Sequence, residues 1–269
     1  MTLNLNSELS ILECSGNDAA TYLQGQLTND IRELNSKPWQ FSAHLNNKGR
    51  TLATFIITQY QENSYYLITS KSVIDKILPR LKMYILRSKV TLAISTKSIY
   101  LSDTQIDGGY NLQLSVDKYR NSRESSQDST TDSDVWHKLL VDNALPMIYL
   151  ESIEKIIPQQ INYDLIGGIN FKKGCYTGQE IVARTHYLGK VKRRMAKFTI
   201  NTQPQIGQGV VSPLMDNQEV GTIIDYYQDG QNYHGLVSLQ NNCLDSAYLD
   251  ADNQQKLTCT TLIDESTGA

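Results

Sequence analysis

The sequence predicts an α+β protein that ends in a small domain built only of strands. With 269 residues the chain is longer than one typical domain and can bury more than one core. In the first two thirds, runs rich in β-branched and aromatic residues alternate with stretches of helical periodicity. From residue 195 onward, short alternating runs are separated by Gly, Pro and Asn, which is typical of a small antiparallel barrel or sandwich.

Helical and strand patterns follow one another along the first half of the chain. Helices are predicted at residues 17–31, 70–89 and 135–146. Strands are predicted at residues 51–60, 64–69, 90–94 and 99–101. Asn17 is the expected cap of the first helix, and Pro79 is expected to kink the second. Together these elements predict a sheet with amphipathic helices packed on it.

A polar segment separates these elements from the rest of the chain. Residues 120–134, RNSRESSQDSTTDSD, contain no apolar side chain, so we expect a linker that contributes to no core. Beyond it, the strands of the carboxyl-terminal domain are predicted at residues 196–200, 209–214, 219–227, 234–239 and 256–263.

Composition and the absence of certain motifs exclude several classes of protein. No apolar run approaches the roughly 18 residues of a membrane-spanning helix, and the amino terminus lacks the pattern of a secretory signal. The four cysteines are scattered without a C-x-x-C pair, which argues against a disulfide framework and against a zinc site. Phosphate-loop and serine-esterase motifs are missing. We therefore expect a soluble, cytoplasmic protein with no membrane partner and no bound metal.

Charge is distributed unevenly along the chain. Residues 172–197 contain eight basic side chains and one acid, whereas residues 198–269 contain one basic side chain and nine acids. Such segregation favours a basic segment that meets an anion. A solvated basic face beside an acidic neighbour is the alternative, and the charge counts alone do not separate the two.

One cysteine lies inside the basic segment. Cys175 is close in sequence to Lys172, Lys173 and Arg184, and neighbouring cations favour a thiolate over a thiol. Cys175 is therefore the candidate for a reactive or metal-binding sulfur. The alternative is that it is a small buried hydrophobe, as most free cysteines are. That structural role is expected for the remaining cysteines, which lie in apolar, strand-like surroundings: Cys14, Cys243 and Cys259.

The residues around this cysteine resemble a known family. The run FKKGCYTGQEIVAR, residues 171–184, resembles the K-G-C-[YF]-x-G-Q-E-x-x-x-R signature of the YgfZ family, which is related to the glycine-cleavage aminomethyltransferase GcvT. Further similar stretches keep the family's order: GNDAATYLQGQLTNDI, HLNNKGRTLATFIIT, YILRSKV and IIPQQINYDLIGGINF. The resemblance implies a three-lobed arrangement around a central opening, in which mixed α/β lobes with antiparallel sheets are joined by a small carboxyl-terminal β-barrel.

The resemblance also implies a division into domains. Residues 1–45 with 135–194 would form a folate-binding lobe that carries the KGCYTGQE segment. Residues 46–119 would form a ferredoxin-like α/β lobe. Residues 120–134 are the linker, and residues 195–269 are the barrel.

A tetrahydrofolate site follows from the same resemblance. Cys175 would be the catalytic thiolate, and Asp142 resembles the acid that binds the pterin. Lys172 and Lys173 resemble the bases that hold the glutamate tail. The remaining folate contacts implied by the family are Tyr176, Gln179 and Arg184, and Trp39 is a further candidate for stacking on the pterin.

Three functions remain open on the sequence. The first is a folate-dependent accessory protein that supports iron-sulfur cluster assembly or repair and tRNA modification. The second is a tetrahydrofolate-dependent one-carbon transferase. Ala53 and Thr54 stand where the aminomethyltransferases carry an acidic pair, which disfavours aminomethyl transfer. The third is a module that holds tRNA by phosphate contacts, through residues 190–197, KVKRRMAK, and through the basic side chains of the second helix, Lys71, Lys76, Arg80 and Lys82.

Overall fold

The computed structural model describes residues 2–102, 131–252 and 254–263. Its strands are β1 Thr2–Asn4, β2 Leu9–Ser15, β3 Gln40–Leu45, β4 Thr51–Gln61, β5 Ser64–Ser70, β6 Thr91–Ile94, β7 Tyr100–Ser102, β8 Arg193–Ile200, β9 Gly209–Ser212, β10 Gln218–Asp229, β11 Asn232–Gln240, β12 Ala247–Tyr248 and β13 Lys256–Thr261. Its α-helices are α1 Ala19–Gln26, α2 Ile74–Met83, α3 Asp132–Asp142 and α4 Gln179–Tyr187. The mixture of helices and antiparallel sheets confirms the predicted α+β class.

The larger sheet is antiparallel, with strand order β3-β4-β5-β2-β6. Strand β4, between β3 and β5, reads TLATFIITQYQ, and its first eight residues are all buried, which the many β-branched and aromatic side chains allow. The sheet joins strands from residues 1–45 and from residues 46–119, which the sequence assigns to two lobes. A separate pair of short strands, β1 and β7, lies outside it.

Helices α1 and α2 contribute to the core that this sheet forms. On α2 the predicted apolar face is buried, and Ile77 and Leu81 are fully enclosed. Pro79 lies inside this helix. The prediction that Asn17 caps α1 is wrong, because the cap position is Asp18 and its side chain makes no capping bond. The Asp18 carboxylate instead accepts a hydrogen bond from the backbone N–H of Lys89 at 2.7 Å, where the chain enters β6.

The carboxyl-terminal domain is a closed six-stranded barrel in the order β10-β11-β8-β13-β12-β9. This confirms the all-β prediction, and closure leaves the barrel without an open sheet edge. Strand β10 shifts its register against β11 between Ile223 and Asp225. That irregularity lies at the acid that faces α3, as described below.

Helix α3 connects the barrel to the rest of the molecule. It begins at Asp132, within the segment predicted to be a polar linker. Thr131 and Asp134 form a capping box there, with the Thr131 hydroxyl accepting from the Asp134 N–H at 3.2 Å. Polar residues that cannot build a core can still start a helix in this way. The rest of the predicted linker, residues 120–130, lies outside the described residues.

Among the described residues, no helix is both long enough and apolar enough to cross a bilayer.

Candidate functional site

The cysteine of the signature lies at an exposed position. Cys175 belongs to residues 171–178, here called the cysteine loop, which precede α4. Its side chain is exposed, whereas Cys14 and Cys243 are buried and Cys259 is half-buried. Burial raises the pKa of the Cys14 and Cys259 thiols to about 12. These two sulfurs are therefore neutral thiols at physiological pH, and the exposed sulfur of Cys175 is the one that a partner can reach.

Lys173 fixes the cysteine loop to the end of α1. Its ammonium donates hydrogen bonds to the carbonyl oxygens of Gln24, Leu27 and Asn29, at 2.8, 2.5 and 2.9 Å. A lysine ammonium has three N–H donors, so each one has a carbonyl acceptor. Two of these carbonyls belong to the last turn of α1 and to the residue that follows it, which is where a cation is favourable.

This placement gives Lys173 a role that the sequence did not predict. Its residue is only 6% exposed, and burial lowers the pKa of its ammonium to about 8. The group is therefore mostly charged at neutral pH, but its donors are directed to backbone oxygens. The ammonium also lies 5.0 Å from the centre of the Tyr176 ring, so Tyr176 is part of the same buried attachment.

Glycine allows the far end of the loop to pack closely. Gly178 has a positive φ of 80°, and a Cβ there would lie 2.4 Å from the carbonyl oxygen of Asn46. The turn between β3 and β4 approaches from the other side, because a Cβ on Gly49 would lie 2.7 Å from the side chain of Ile181. Backbone packs on backbone at Gly178 and on the Ile181 side chain at Gly49, and glycine permits both approaches without displacement. The loop and α4 are thereby held against the β3–β4 hairpin.

The other predicted folate contacts on this segment are more open. Lys172 and Arg184 are exposed, and Gln179 is a partly buried residue at the first position of α4. The loop thus has a buried half, in which Lys173 uses its three donors beside the Tyr176 ring, and an exposed half that carries Cys175 and Lys172.

Asp142 lies in a different environment, at the last residue of α3. Its carboxylate accepts hydrogen bonds from the Lys138 ammonium at 3.0 Å and from the Tyr227 hydroxyl at 3.2 Å. Its backbone carbonyl accepts from Lys197 at 2.8 Å. The acid predicted to bind the pterin is therefore paired with α3 and barrel side chains in this structure.

The basic segment divides into bonded and exposed cations. Arg194 pairs with Asp164 at 2.6 Å, and Arg193 donates to the carbonyl of Glu219 at 2.8 Å. Lys173 and Lys197 are bonded as described above. The other four basic residues of the segment are all exposed, and they are Lys172, Arg184, Lys190 and Lys192.

A small cavity lies between the large sheet and α3. It is lined by Phe41, Thr54, Phe55, Ile56, Trp136, Leu140, Leu145, Pro146, Met147 and Tyr163. Its volume of about 20 Å³ is enough for one water molecule. The indole N–H of Trp136 is buried and lacks an acceptor among the described residues. An unsatisfied buried donor costs about 1–3 kcal/mol, so an acceptor brought beside this indole would be stabilising.

The aromatic lining of the cavity suits a pterin, but the volume of the cavity does not. Aromatic rings on several sides and one free N–H donor suit a flat heteroaromatic ring that carries acceptors. The present volume does not hold such a ring, so binding would have to widen the cavity. Thr54, which stands where the aminomethyltransferases carry an acidic residue, lines this cavity, and its hydroxyl accepts from the N–H of Ile148 at 3.1 Å.

The cavity and the cysteine loop are connected through one asparagine. The Asn29 side chain donates to the carbonyl of Phe41 at 2.9 Å, and Phe41 lines the cavity. The Asn29 carbonyl accepts from Lys173. Two hydrogen bonds therefore separate the cavity wall from the lysine next to the signature glycine and cysteine. Trp39 reaches the same wall, with its ring edge against Phe41 at a centroid distance of 5.1 Å.

An ionic cluster around the buried Asp225 joins α3 to the barrel, and no local pattern in the sequence predicts it. His137 Nδ1 lies 2.6 Å from an oxygen of Asp225, and the Tyr149 hydroxyl donates to the other oxygen at 3.0 Å. His137 Nε2 lies 3.6 Å from Glu8. We call Glu8, His137, Tyr149 and Asp225 the histidine cluster. A histidine in a helical pattern and an aspartate in a strand pattern carry no local sign that they pair.

Electrostatics make His137 a cation in this cluster. Burial works against its charge, but the hydrogen bond to Asp225 and the Glu8 carboxylate 3.6 Å away outweigh it and raise the pKa of His137 to about 10. His137 in turn lowers the pKa of Glu8. Burial raises the pKa of Tyr149 well above its usual value, so its hydroxyl remains a donor to Asp225.

Similar proteins are found among curated sequences and among solved structures. No protein-family model matches the sequence. The chain is 30% identical to the tRNA-modifying protein YgfZ of Aliivibrio fischeri, over 95% of this chain and 92% of that protein. It is 32% identical to the protein of the same name from Photobacterium profundum, with coverages of 91% and 84%. Among solved structures, the glycine cleavage system aminomethyltransferase T from Bartonella henselae shares the fold, with a TM-score of 0.64 at 11% identity over 95% of this chain and 83% of that one.

Proposed function

Because this chain belongs to the YgfZ family of tRNA-modifying proteins, we propose that it is a cytoplasmic, tetrahydrofolate-binding accessory protein that supports iron-sulfur cluster assembly or repair and tRNA modification. In this proposal Cys175 is the functional thiolate. The observation that carries it is the exposure of this one signature sulfur on a loop whose backbone is bonded to α1 through Lys173.

The geometry of the loop supports this role for the sulfur. A fixed backbone presents Cys175 at the surface, where the iron of a cluster carried by a client protein could approach it. Thiolates are preferred ligands of such soft metal sites. The cluster would be the cargo of the protein, held by its client before and after the encounter.

We assign the pterin to the cavity between the sheet and α3. The rings of Phe41 and Tyr163 and the N–H of Trp136 would hold it, and the exposed Lys172 and Arg184 would neutralise the carboxylates of the glutamate tail. Tetrahydrofolate would supply a one-carbon or reducing group there. Lys173 and Tyr176 would act indirectly, by holding the loop in position.

A one-carbon transferase is the weaker alternative. The buried methyl of Ala53 and the hydroxyl of Thr54 supply no carboxylate at the position where aminomethyltransferases carry their acids. The bonded state of Asp142 leaves no ionised oxygen without a partner in its place.

The role of the sulfur is tested in cells. Cells that carry Cys175→Ala should lose activity of iron-sulfur enzymes and the tRNA modifications that depend on them, with unchanged amounts of the protein. Cys259→Ala is the matched control, because it removes a half-buried thiol from a barrel strand. Full enzyme activity with Cys175→Ala would remove this sulfur from the mechanism.

The folate site is tested by calorimetric titration of the purified protein with tetrahydrofolate. Trp136→Phe keeps a ring in the cavity and removes the unsatisfied N–H, so folate affinity should fall by up to about tenfold while the free energy of unfolding is unchanged or higher. Trp39→Phe removes an indole N–H outside the cavity lining and should bind normally. Equal affinity for the wild type and Trp136→Phe would contradict this placement of the pterin.

A further inference from the structure

Aromatic side chains gather on the surface beside the cysteine loop. The rings of Phe171 and His186 are stacked, with centroids 3.7 Å apart and planes 11° from parallel. The Tyr187 ring stands edge-on to His186 at 4.7 Å. Tyr187 is 64% exposed, and the next residue, Leu188, is 84% exposed. We call Phe171, His186, Tyr187 and Leu188 the aromatic platform. Large exposed apolar side chains that adjoin one another indicate a binding surface.

Exposed cations lie close to this platform along the chain. Lys172 is the neighbour of Phe171, and Arg184 lies one helical turn before Tyr187 and Leu188 on α4. Lys190 follows three residues after Tyr187, so their Cα atoms are within about 11 Å of each other. Lys192 is two residues further on, and all four cations are exposed. Glu180 is the one acid between residues 172 and 192.

The composition of the surface distinguishes between classes of partner. The centres of protein–protein interfaces favour aromatic residues and arginine but are depleted in lysine, and three of these four cations are lysines. Single-stranded nucleic acid is bound by the combination seen here, in which cations contact phosphates and aromatic rings stack on bases. We propose that the aromatic platform, together with Lys190 and Lys192, binds a single-stranded segment of RNA.

This inference rests on the proposed function, since it names the RNA surface of a protein that supports tRNA modification. It locates that surface at the cysteine loop and α4. The basic side chains of α2 lie on a different element. Bound RNA would therefore lie beside the exposed sulfur of Cys175.

The inference is tested with fluorescence anisotropy of labelled single-stranded oligouridine and of unmodified tRNA. Tyr187→Leu keeps an apolar side chain but removes the ring, and it should weaken binding of oligouridine by about 5- to 100-fold. Tyr187→Phe should restore it. The double variant Lys190→Ala with Lys192→Ala should reduce the slope of log K against log salt by about 1.4, which corresponds to two phosphate contacts.

Matched controls come from α2 and the residue that follows it. Tyr84→Leu removes an exposed tyrosine near cations, and Lys76→Ala with Lys82→Ala removes two cations of α2. Both should bind oligouridine normally. A larger loss in these controls than in the α4 variants would overturn the inference. Equal binding of duplex RNA or of polyglutamate, unaffected by Tyr187→Leu, would also overturn it, because the surface would then bind anions in general.

Titration with tetrahydrofolate separates this inference from the proposed function. The variants at Tyr187, Lys190 and Lys192 should bind folate as the wild type does, since none of these residues belongs to the proposed folate site. Folate binding without RNA binding would contradict the RNA surface alone. RNA binding by a protein that does not bind folate would contradict the proposed function and leave the RNA surface supported.

Discussion

The cysteine loop and the histidine cluster each bury one cation, and they hold it in opposite ways. Lys173 is surrounded by three neutral carbonyl groups, and burial lowers its pKa to about 8. Burial also opposes the charge of His137, but two carboxylates outweigh it and raise its pKa to about 10. A buried charge is thus tolerated through two routes, one in which dipoles satisfy its donors and one in which opposite charges neutralise it.

The difference explains what each region can do. Lys173 fixes the loop by donating hydrogen bonds to neutral carbonyl groups. The exposed cations near Cys175 in sequence are Lys172 and Arg184. In the histidine cluster the opposite charges neutralise one another, and the cluster joins Glu8, α3 and the barrel. Positive charge in the sequence therefore serves attachment in one place and remains exposed in another.

Removing the central acid of the histidine cluster should have the largest effect on stability. Asp225 is fully buried, and Asp225→Ala leaves His137 and the Tyr149 hydroxyl without their acceptor. The free energy of unfolding should fall by about 3–5 kcal/mol, as when a buried ion pair loses one partner. Denaturant unfolding measures this. Arg80→Ala, which breaks the exposed pair with Glu154, should cost less than about 1 kcal/mol.

Removing the cation of the cysteine loop should cost less. Lys173→Met keeps most of the side-chain volume but leaves three carbonyl oxygens without a donor, so we expect a loss of about 3 kcal/mol in the free energy of unfolding. Lys172→Met, at the exposed neighbouring position, should leave the free energy of unfolding within about 0.5 kcal/mol of the wild type. Equal stability of the two variants would mean that the Lys173 bonds contribute little.

The two cations should respond to pH with opposite signs. Between pH 6.5 and about 10 only the folded chain keeps the His137 proton, so the stability that His137 contributes is complete below this range and is lost as pH rises through it. Between about 8 and 10.5 the unfolded chain binds the Lys173 proton more strongly, so the stability of the wild type relative to Lys173→Met should increase with pH.

Unfolding free energies of the wild type, His137→Asn and Lys173→Met across this pH range measure both slopes. The advantage of the wild type over His137→Asn should shrink with rising pH, and its advantage over Lys173→Met should grow. Slopes of the same sign would show that the three carbonyls stabilise the charged lysine more than burial opposes it.

The smallest effects concern the ends of the helices that carry these regions. Ala144 has a positive φ of 53° after α3, where the backbone bonds Ala144 N to Val141 O and Leu145 N to Leu140 O form a Schellman motif that favours glycine. Ala144→Gly should therefore raise the free energy of unfolding by roughly 0.5–1 kcal/mol. Gly25→Ala is the reverse exchange within α1, where a Cβ meets nothing within 4 Å. Gly25→Ala should raise the free energy of unfolding by a similar amount, and thermal unfolding of the two variants measures both changes.

Local patterns predicted much of this molecule. The periodicity of the α2 segment and the alternation of the barrel strands indicated their elements, because each depends on residues a few positions apart. The signature around Cys175 indicated the family of the chain, whereas the exposure of Cys175 and helix α4 were not predicted. The start of α3 was missed, because a capping box in a polar run resembles a linker in composition.

What the sequence determined by itself was the type of several elements, such as α2, β4 and β5, the barrel and the position of one distinctive cysteine. Only the tertiary structure decided what the charges do. Lys173 bonds to carbonyls that lie 144 to 149 residues earlier, and His137 pairs with an acid 88 residues later. Periodicity is a local property, whereas burial and pairing arise when distant segments pack, so the same basic residue can contact a ligand, a backbone oxygen or a buried carboxylate.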